Sequence, residues 1–205
     1  MSDSAPSNRP QKLHPSIACC GLDCGLCPRY HTEDPSRCPG CAGPSFYERH
    51  PGCGKITCCA GERGLEVCSQ CDEFPCDRYH SWLAMGGEEG SEYDSFLTYR
   101  KVPENLERIR TRGLEPFLVE QMRRMNLLEE MLAYFNDGRS KSFYCIATTL
   151  LPVPDLESAI EEARRVVSEE RLEEEDFKKR AKTLKALLRS HAERGGVELK
   201  LRKKK

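Results

Sequence analysis

Apolar residues recur at spacings of three and four through the second half of the chain, the pattern of helices that each bury one face. Glycine and proline divide this pattern into segments. The predicted helices are a short one from Pro103 to Gly113, a long one over 114–135, a third over 142–151, a fourth capped by Asp155, and a fifth ending at Gly195 and Gly196. We interpret their Leu, Met and Phe side chains, Met122 and Phe177 included, as a helical core.

The first half of the chain has a different pattern. Between residues 14 and 85 apolar residues are few, Gly and Pro are frequent, and neither a helical nor a strand period persists. One helix is predicted to begin near Pro75, with Tyr79, Trp82 and Leu83 on one face, and to end at Gly86. The chain is thus predicted to contain a disordered tail (1–13), an irregular cysteine-rich domain (14–85), a connector (86–102), a helical domain (103–195) and a basic tail (196–205), with a mostly α fold.

The irregular domain has too few apolar residues to be held together by a hydrophobic core. Ordering each residue costs about 1 to 2 kcal/mol of backbone entropy, which the few apolar side chains in the window cannot offset. A structural zinc site contributes roughly 10 to 16 kcal/mol of apparent binding free energy, which is the scale required. We therefore expect residues 14–85 to be stabilised by metal.

Cysteine usage supports this expectation. Of the thirteen cysteines, twelve lie between Cys19 and Cys76. The sequence shows neither a secretory signal nor an apolar run long enough to cross a membrane, so we expect a cytoplasmic protein, in which dense cysteines hold metal more often than disulfides. Cys145 stands apart and is expected to be a small buried side chain.

Three Cys-x-x-Cys pairs stand out, and they resemble zinc knuckles. Two intervening residues let both thiolates of a pair face one ion from a tight turn, and two pairs complete a closed tetrahedral site. Other thiols flank the pairs, and Cys76 would begin the predicted helix, where the helix dipole favours a thiolate. His80 follows one turn later and is a further candidate ligand. The pairs are Cys24 with Cys27, Cys38 with Cys41, and Cys68 with Cys71.

The runs IACCGLDCGLCPRY, CPGC and CCAGERGLEVCSQCDEFPCDRY resemble, over residues 17–80, a cysteine-rich prokaryotic family catalogued as domain of unknown function 3795. The resemblance implies no particular activity. Cys19 and Cys58 are extra to the family pattern and remain possible additional ligands. The matching thiols implied by the resemblance are Cys20, Cys24, Cys27, Cys38, Cys41, Cys53, Cys59, Cys68, Cys71 and Cys76.

The sequence is compatible with three functions. The favoured one is a structural module with two or three zinc ions that presents a surface to a partner protein. The alternative is an iron–sulfur redox protein: the Cys20–Cys27 spacing is similar to the cluster loop of radical S-adenosylmethionine enzymes, although the alternating strands and helices of their fold are not indicated. The third is nucleic-acid binding through the basic end from Lys200 to Lys205.

A possible anion site lies at the start of the third helix in the helical domain, where Arg139 and Lys141 accompany a helix N-terminus. Helix capping by Ser140 or Ser142 explains the same residues with fewer assumptions. The sequence contains no Ser-His-Asp arrangement, no GxxxxGK loop and no HExxH helix, so no catalytic residue is assigned and an enzyme is not the favoured interpretation.

Overall fold

The computed structural model describes residues 9–33, 35–84, 94–173 and 175–203. Within these ranges it contains helices and turns and no β-strand, which confirms the mostly helical prediction. None of the described helices combines the length and apolarity needed to cross a lipid bilayer. The helices are α1 (Phe46–Arg49), α2 (Gly54–Ile56), α3 (Asp77–Ala84), α4 (Val102–Arg112), α5 (Leu114–Tyr134), α6 (Lys141–Leu150), α7 (Val153–Glu169) and α8 (Phe177–Arg194).

The cysteine-rich segment consists of short turns, as its broken periodicity predicted. Two 3-10 turns cover Cys24–Leu26 and Cys68–Gln70, and α2 continues into a π-helical turn over Thr57–Glu62. The helix predicted at Pro75 is α3, which begins two residues later. Its predicted end at Gly86 lies outside the described residues.

The main core lies among α5, α6, α7 and α8. Cys145 on α6 is 1% exposed there, so its assignment as a buried side chain is confirmed. The cysteine-rich segment also contributes to this core, because Leu26, also 1% exposed, packs with Leu128 of α5 and Tyr144 of α6. The two parts of the chain therefore share buried apolar surface.

A second cluster joins α4 to the cysteine-rich segment. Ile17 and Val67, both fully buried, pack against Leu106 and Ile109 of α4 and Phe117 of α5. Gly113, with a φ of +88°, ends α4 and precedes α5 without a longer loop. This sharp turn lets both helices contact the same segment.

The long helix buries a slightly different face from the one predicted. Met122 is 64% exposed, whereas the neighbouring Gln121 is 3% exposed. Gln121 is buried because its amide bonds to the cysteine-rich segment, an interaction that apolar periodicity does not reveal. Phe177, at the first position of α8, is also 49% exposed, so the prediction that it belongs to the helical core is wrong.

Asp155 does not cap its helix as predicted. The helix begins earlier, at Val153, with Pro152 at the N-cap position. Asp155 instead lies in the first turn, where its carboxylate is 3.0 Å from Nδ1 of His191 on α8. The aspartate therefore links two helices rather than ending one.

The described part of the N-terminal tail is packed. Lys12 is 7% exposed, and the Glu66 carboxylate accepts hydrogen bonds from the N–H groups of Leu13 and His14 at 2.8 and 2.9 Å. Tyr47 adds a hydrogen bond to the Pro10 carbonyl. Over residues 9–13 the structure thus differs from the disordered tail that composition predicted, because specific partners far along the sequence hold the backbone.

The described part of the basic tail is also held in place. Arg100 donates to the carbonyls of Glu198 and Lys200, both at 2.8 Å. The backbone N–H of Asp94 donates to the Arg202 carbonyl, and the Arg202 N–H donates to the Asp94 carboxylate. Residues 198–202 therefore lie against the connector.

Candidate thiol-rich metal site

Two of the three Cys-x-x-Cys pairs form the same local turn. The Cys27 N–H donates to the Cys24 carbonyl and the Cys71 N–H donates to the Cys68 carbonyl, each at 3.1 Å. Both turns are 3-10 turns, which place two cysteines of a pair on one side of a bend. The spacing therefore produces the tight turns that it predicted at these two pairs.

The third pair, Cys38 and Cys41, is fixed by a glycine. Gly40 has a φ of +85°, and a Cβ at this position would lie 2.3 Å from the Pro15 carbonyl oxygen. The Cys41 N–H donates to that same carbonyl at 2.8 Å. Only glycine allows this close approach, which carries Cys41 to the start of the cysteine-rich segment.

Long-range backbone contacts bring cysteines together that are far apart in sequence. The Cys68 N–H donates to the Cys19 carbonyl at 2.8 Å. Cys19, Cys41 and Cys59 then pack in one buried cluster, with Cys68 at its edge. Sequence spacing alone does not select these four cysteines, because Cys19 is extra to the cysteine pattern of the family.

The thiols of Cys41, Cys19, Cys59 and Cys68 form a row in which each thiol interacts with the next, called here the thiol series. Hydrogen bonding from Cys41 and Cys59 lowers the pKa of the Cys19 thiol to about 3. The same interactions with Cys19 raise the pKa of Cys41 and of Cys59, while a hydrogen bond with Cys59 lowers that of Cys68. The order of interaction is therefore Cys41, Cys19, Cys59 and Cys68. This arrangement favours thiolate at Cys19 and Cys68, and a thiolate is the form that binds metal.

A buried lysine lies beside this thiol series. Lys12 donates from Nζ to the Ile17 carbonyl, and its backbone N–H donates to the Ala42 carbonyl at 3.1 Å. Its positive charge contributes to lowering the pKa of Cys19 and of Cys68. Sequence analysis missed Lys12 because it lies among polar residues assigned to the tail, and no motif marks it.

A second group of thiols lies around the first 3-10 turn. Burial raises the pKa of Cys20 to about 11 and also raises those of Cys24 and Cys27. The charges of Cys20, Cys27 and Cys38 raise the pKa of Cys24 further, so these four thiols are electrostatic neighbours. The Cys38 Sγ also lies 3.4 Å from Nε2 of His50. Sequence spacing had not distinguished His50 from other histidines in the window.

The remaining candidate ligands lie outside these two groups of thiols. Cys53 is exposed, and Cys58 interacts with the Arg63 guanidinium. Cys71 and Cys76 are half-buried at their turns. His80 is exposed on α3 beside the Tyr79 ring. The structure therefore gives stronger support to His50 than to His80 as a neighbour of a thiol.

All thirteen cysteines lie in the described residues and are free thiols. Across the described ranges, no group of three or more Cys, His, Asp or Glu side chains surrounds a common point as ligands of one ion would. The thiol series suits zinc in the chemistry of its donors, since thiolates are preferred zinc ligands. Its arrangement is a buried series of interacting thiols rather than a tetrahedron.

The thiol region is anchored to the helices by a buried carboxylate. Asp23, 7% exposed, accepts hydrogen bonds from Nδ2 of Asn105 on α4 at 2.8 Å and from Nε2 of Gln121 on α5 at 3.0 Å. Burial raises the pKa of Asp23, and the two amides oppose that shift. The aspartate of the CGLDC motif is therefore a structural link between the cysteine turn and two helices.

The predicted anion site has other partners in the structure. Lys141 donates to the His31 carbonyl at 3.0 Å, which links α6 to the cysteine-rich segment. The Asp137 carboxylate accepts from the Arg139 N–H at 3.0 Å and from the Ser140 hydroxyl at 2.6 Å. Ser140 is the N-cap residue but makes no side-chain capping bond. An aspartate already occupies donors that an added anion would need, and the anion site stays a prediction.

These features define a class: a mainly helical protein with a thiol-rich N-terminal segment that is packed onto its helices. Residues 16–81 match the model of a family described as a protein of unknown function, DUF3795. The assignment drawn from the cysteine motifs is thereby confirmed for this segment. Searches of the curated proteins and of the solved structures gave no match.

Proposed function

We propose that this protein is a metal-binding module whose cysteine-rich segment is organised by zinc. The observation that carries the proposal is the thiol series of Cys41, Cys19, Cys59 and Cys68, in which the first three are buried and Cys68 lies at the edge. Four thiolates complete a closed zinc site, which leaves no position for substrate and favours a structural role. The other eight thiols of the window are enough for one or two further ions.

Charge repulsion among the thiols favours a bound cation. Ionising all four thiols would bring four negative charges close together, and the Lys12 and Lys55 ammonium groups would offset only part of that charge. A divalent ion removes the repulsion and also contributes on the order of 10 kcal/mol to folding. We further propose that the protein works in a reducing compartment such as the cytoplasm, where free thiols persist.

A partner protein is the second part of the proposal. Val119 and Met122, three residues apart on α5, are 69% and 64% exposed. Such neighbouring apolar side chains on one helix face are typical of contact surfaces, and methionine adapts to varied partners. The module would thus hold a rigid helical surface for recognition.

The first experiment is to measure metal and acid-labile sulfide per chain. The protein should be purified anaerobically from its native cells, because overproduction can load zinc in place of iron. Two or three equivalents of zinc without sulfide support the proposal. Iron with matching sulfide supports the iron–sulfur alternative, and negligible metal of any kind rejects both.

Two serine variants make this experiment specific. Cys19→Ser removes the central thiol of the series and is expected to lose about one metal equivalent. Cys145→Ser changes a buried thiol on α6 and is expected to keep the full metal content. Equal metal content in the two variants would reject the assignment of Cys19 as a ligand.

A further inference from the structure

A groove of about 370 Å³ lies on the helical part of the molecule, between the end of α5, the last turns of α7 and the start of α8. This volume is within the range of small-molecule sites, roughly 300 to 1,000 Å³. Tyr134, Val167 and Leu172 form apolar walls, and Tyr134 is 55% exposed. The groove is separate from the thiol region.

Three arginines from three places in the chain line this groove: Arg164, Arg171 and Arg180. Arg164 is paired with Glu130 of α5 at 3.0 Å. Arg171 and Arg180 form no ion pair with a carboxylate among the described residues. Among the residues that the structure describes, the buried Nε of Arg180 has no hydrogen-bond partner, and its guanidinium lies 5.9 Å from the Phe135 ring centre. Glu173 is the one acidic residue that lines the described part of the groove.

The backbone of Arg171 is unusual. It follows α7 with a φ of +51°, and the N–H groups of Arg171 and Leu172 donate to the carbonyls of Ser168 and Val167. These bonds form the Schellman motif that ends many helices, in which this position is usually glycine. An arginine at this position costs more conformational free energy than a glycine would. Its side chain places a guanidinium in the lining of the groove.

We propose that this groove binds a small anion with an attached apolar or aromatic group. Guanidinium groups hold carboxylates and phosphates by paired, charge-assisted hydrogen bonds. Arg171 and Arg180 bind the anionic group, with Arg164 shared between the ligand and Glu130. The apolar group lies along Tyr134, Val167 and Leu172. This proposal is independent of metal binding.

The test uses the full chain as purified and four probes in titration calorimetry. Phenyl phosphate and benzoate carry both features, inorganic phosphate carries only the anion, and benzyl alcohol carries only the ring. Saturable binding of phenyl phosphate or benzoate, at least about fivefold tighter than inorganic phosphate and benzyl alcohol, supports the proposal. The stronger of the two aromatic anions identifies the phosphate or the carboxylate class. Binding of neither aromatic anion overturns the proposal.

Variants then locate the binding. Arg171→Gly is the sharpest, because glycine suits the positive φ and should leave stability in urea unchanged or higher. Arg164→Ala removes a second cation, and Arg165→Ala is its matched control, since Arg165 pairs with Glu162 and Glu169 outside the groove. The first two variants should each weaken binding about fivefold to tenfold, with no change for the control. Unchanged affinity in Arg171→Gly would show that the anion binds elsewhere.

Discussion

Charged residues near the thiols change the pKa values of those thiols, and Lys12 is the clearest case. Its Nζ is bonded to the Ile17 carbonyl beside the thiol series, and its charge contributes to lowering the pKa of Cys19. If the series binds zinc, the lysine acts as an outer-shell residue that stabilises the anionic site. Groups of this kind commonly change metal affinity by about tenfold to a hundredfold.

Replacing Lys12 by methionine is therefore expected to weaken zinc binding about tenfold, measured by competition with a chromophoric chelator. The physical reason is that methionine keeps the buried volume but removes the charge that favours thiolate. Lys101→Met is the matched control, because Lys101 pairs with Glu104 on α4. Equal affinity in wild type and Lys12→Met would contradict the role of Lys12.

Asp137 provides a test of electrostatics away from the thiols. The Ser140 hydroxyl bond, with help from the Arg139 N–H and the Lys185 ammonium, lowers the pKa of its carboxyl to about 2. A lowered carboxyl pKa contributes stability that is fully present above the unfolded value of 3.8 and is lost as pH falls toward 2. The contribution therefore disappears only in acid.

We expect Ser140→Ala to raise the pKa of Asp137 more than Lys185→Met does, since the hydroxyl bond is the larger cause. The carboxyl carbon of Asp137 can be followed by NMR across the acid range. Glu161→Gln on α7, an exposed site, should leave this pKa unchanged. A larger rise in Lys185→Met would show that charge, not hydrogen bonding, dominates.

At the scale of elements, glycines let the cysteine turns approach the helices. Gly21 in the CGLDC motif has a φ of +84°, and a Cβ there would lie 2.6 Å from Cγ of Leu106 on α4. Gly138 has a similar φ of +80° but has no atom within 4 Å of the same position. Comparing an alanine substitution at each glycine therefore separates the free-energy cost of a positive φ from the free-energy cost of steric overlap with α4.

Gly21→Ala should destabilise the protein by about 2 to 4 kcal/mol, whereas Gly138→Ala should cost about 1 kcal/mol. The excess at Gly21 arises from the clash with α4, and the shared part arises from the positive φ. Urea unfolding followed by circular dichroism measures both. Equal costs would mean that the cysteine turn and α4 are not packed as described.

At the scale of the whole molecule, the thiol segment and the helices are joined by buried contacts. Leu26 is buried in the main core, and Asp23 accepts hydrogen bonds from Asn105 and Gln121. Loss of order in the cysteine-rich segment must therefore remove contacts from α4, α5 and α6. Under our proposal, metal content and helix stability are coupled.

Chelation of metal from the reduced protein is expected to lower the melting temperature of the helical signal by on the order of 5 °C. The reason is that an unfolded cysteine-rich segment withdraws Leu26 from the helical core. In Leu26→Ala this coupling should be smaller, because the shared contact is already lost. An unchanged melting temperature after complete metal removal would reject the coupling.

Local sequence patterns are sufficient to predict most of the helical part without tertiary contacts. Apolar spacing with Gly and Pro located α4, α5 and α6 to within about two residues, because helix formation depends on near neighbours. The start of α7 lies about three residues before the one that an Asp155 cap predicts. The same patterns misjudged Met122 and Phe177, whose exposure depends on which other segment covers the helix. Cysteine spacing likewise predicted tight turns at Cys24 and Cys68, because such turns are local, and the structure forms them as 3-10 turns.

Residue patterns are therefore sufficient to predict the helices, the tight turns at two cysteine pairs and the family match of the cysteine-rich segment. Tertiary structure alone decided which thiols meet, placing Cys19 among Cys41, Cys59 and Cys68 and Lys12 beside them. It also decided that Arg164, Arg171 and Arg180 line one groove together with Tyr134 of α5. The physical reason is the sequence separation of the interacting residues. Turns and helices follow from residues a few positions apart, whereas these sites depend on backbone contacts and packing between separate segments of the chain.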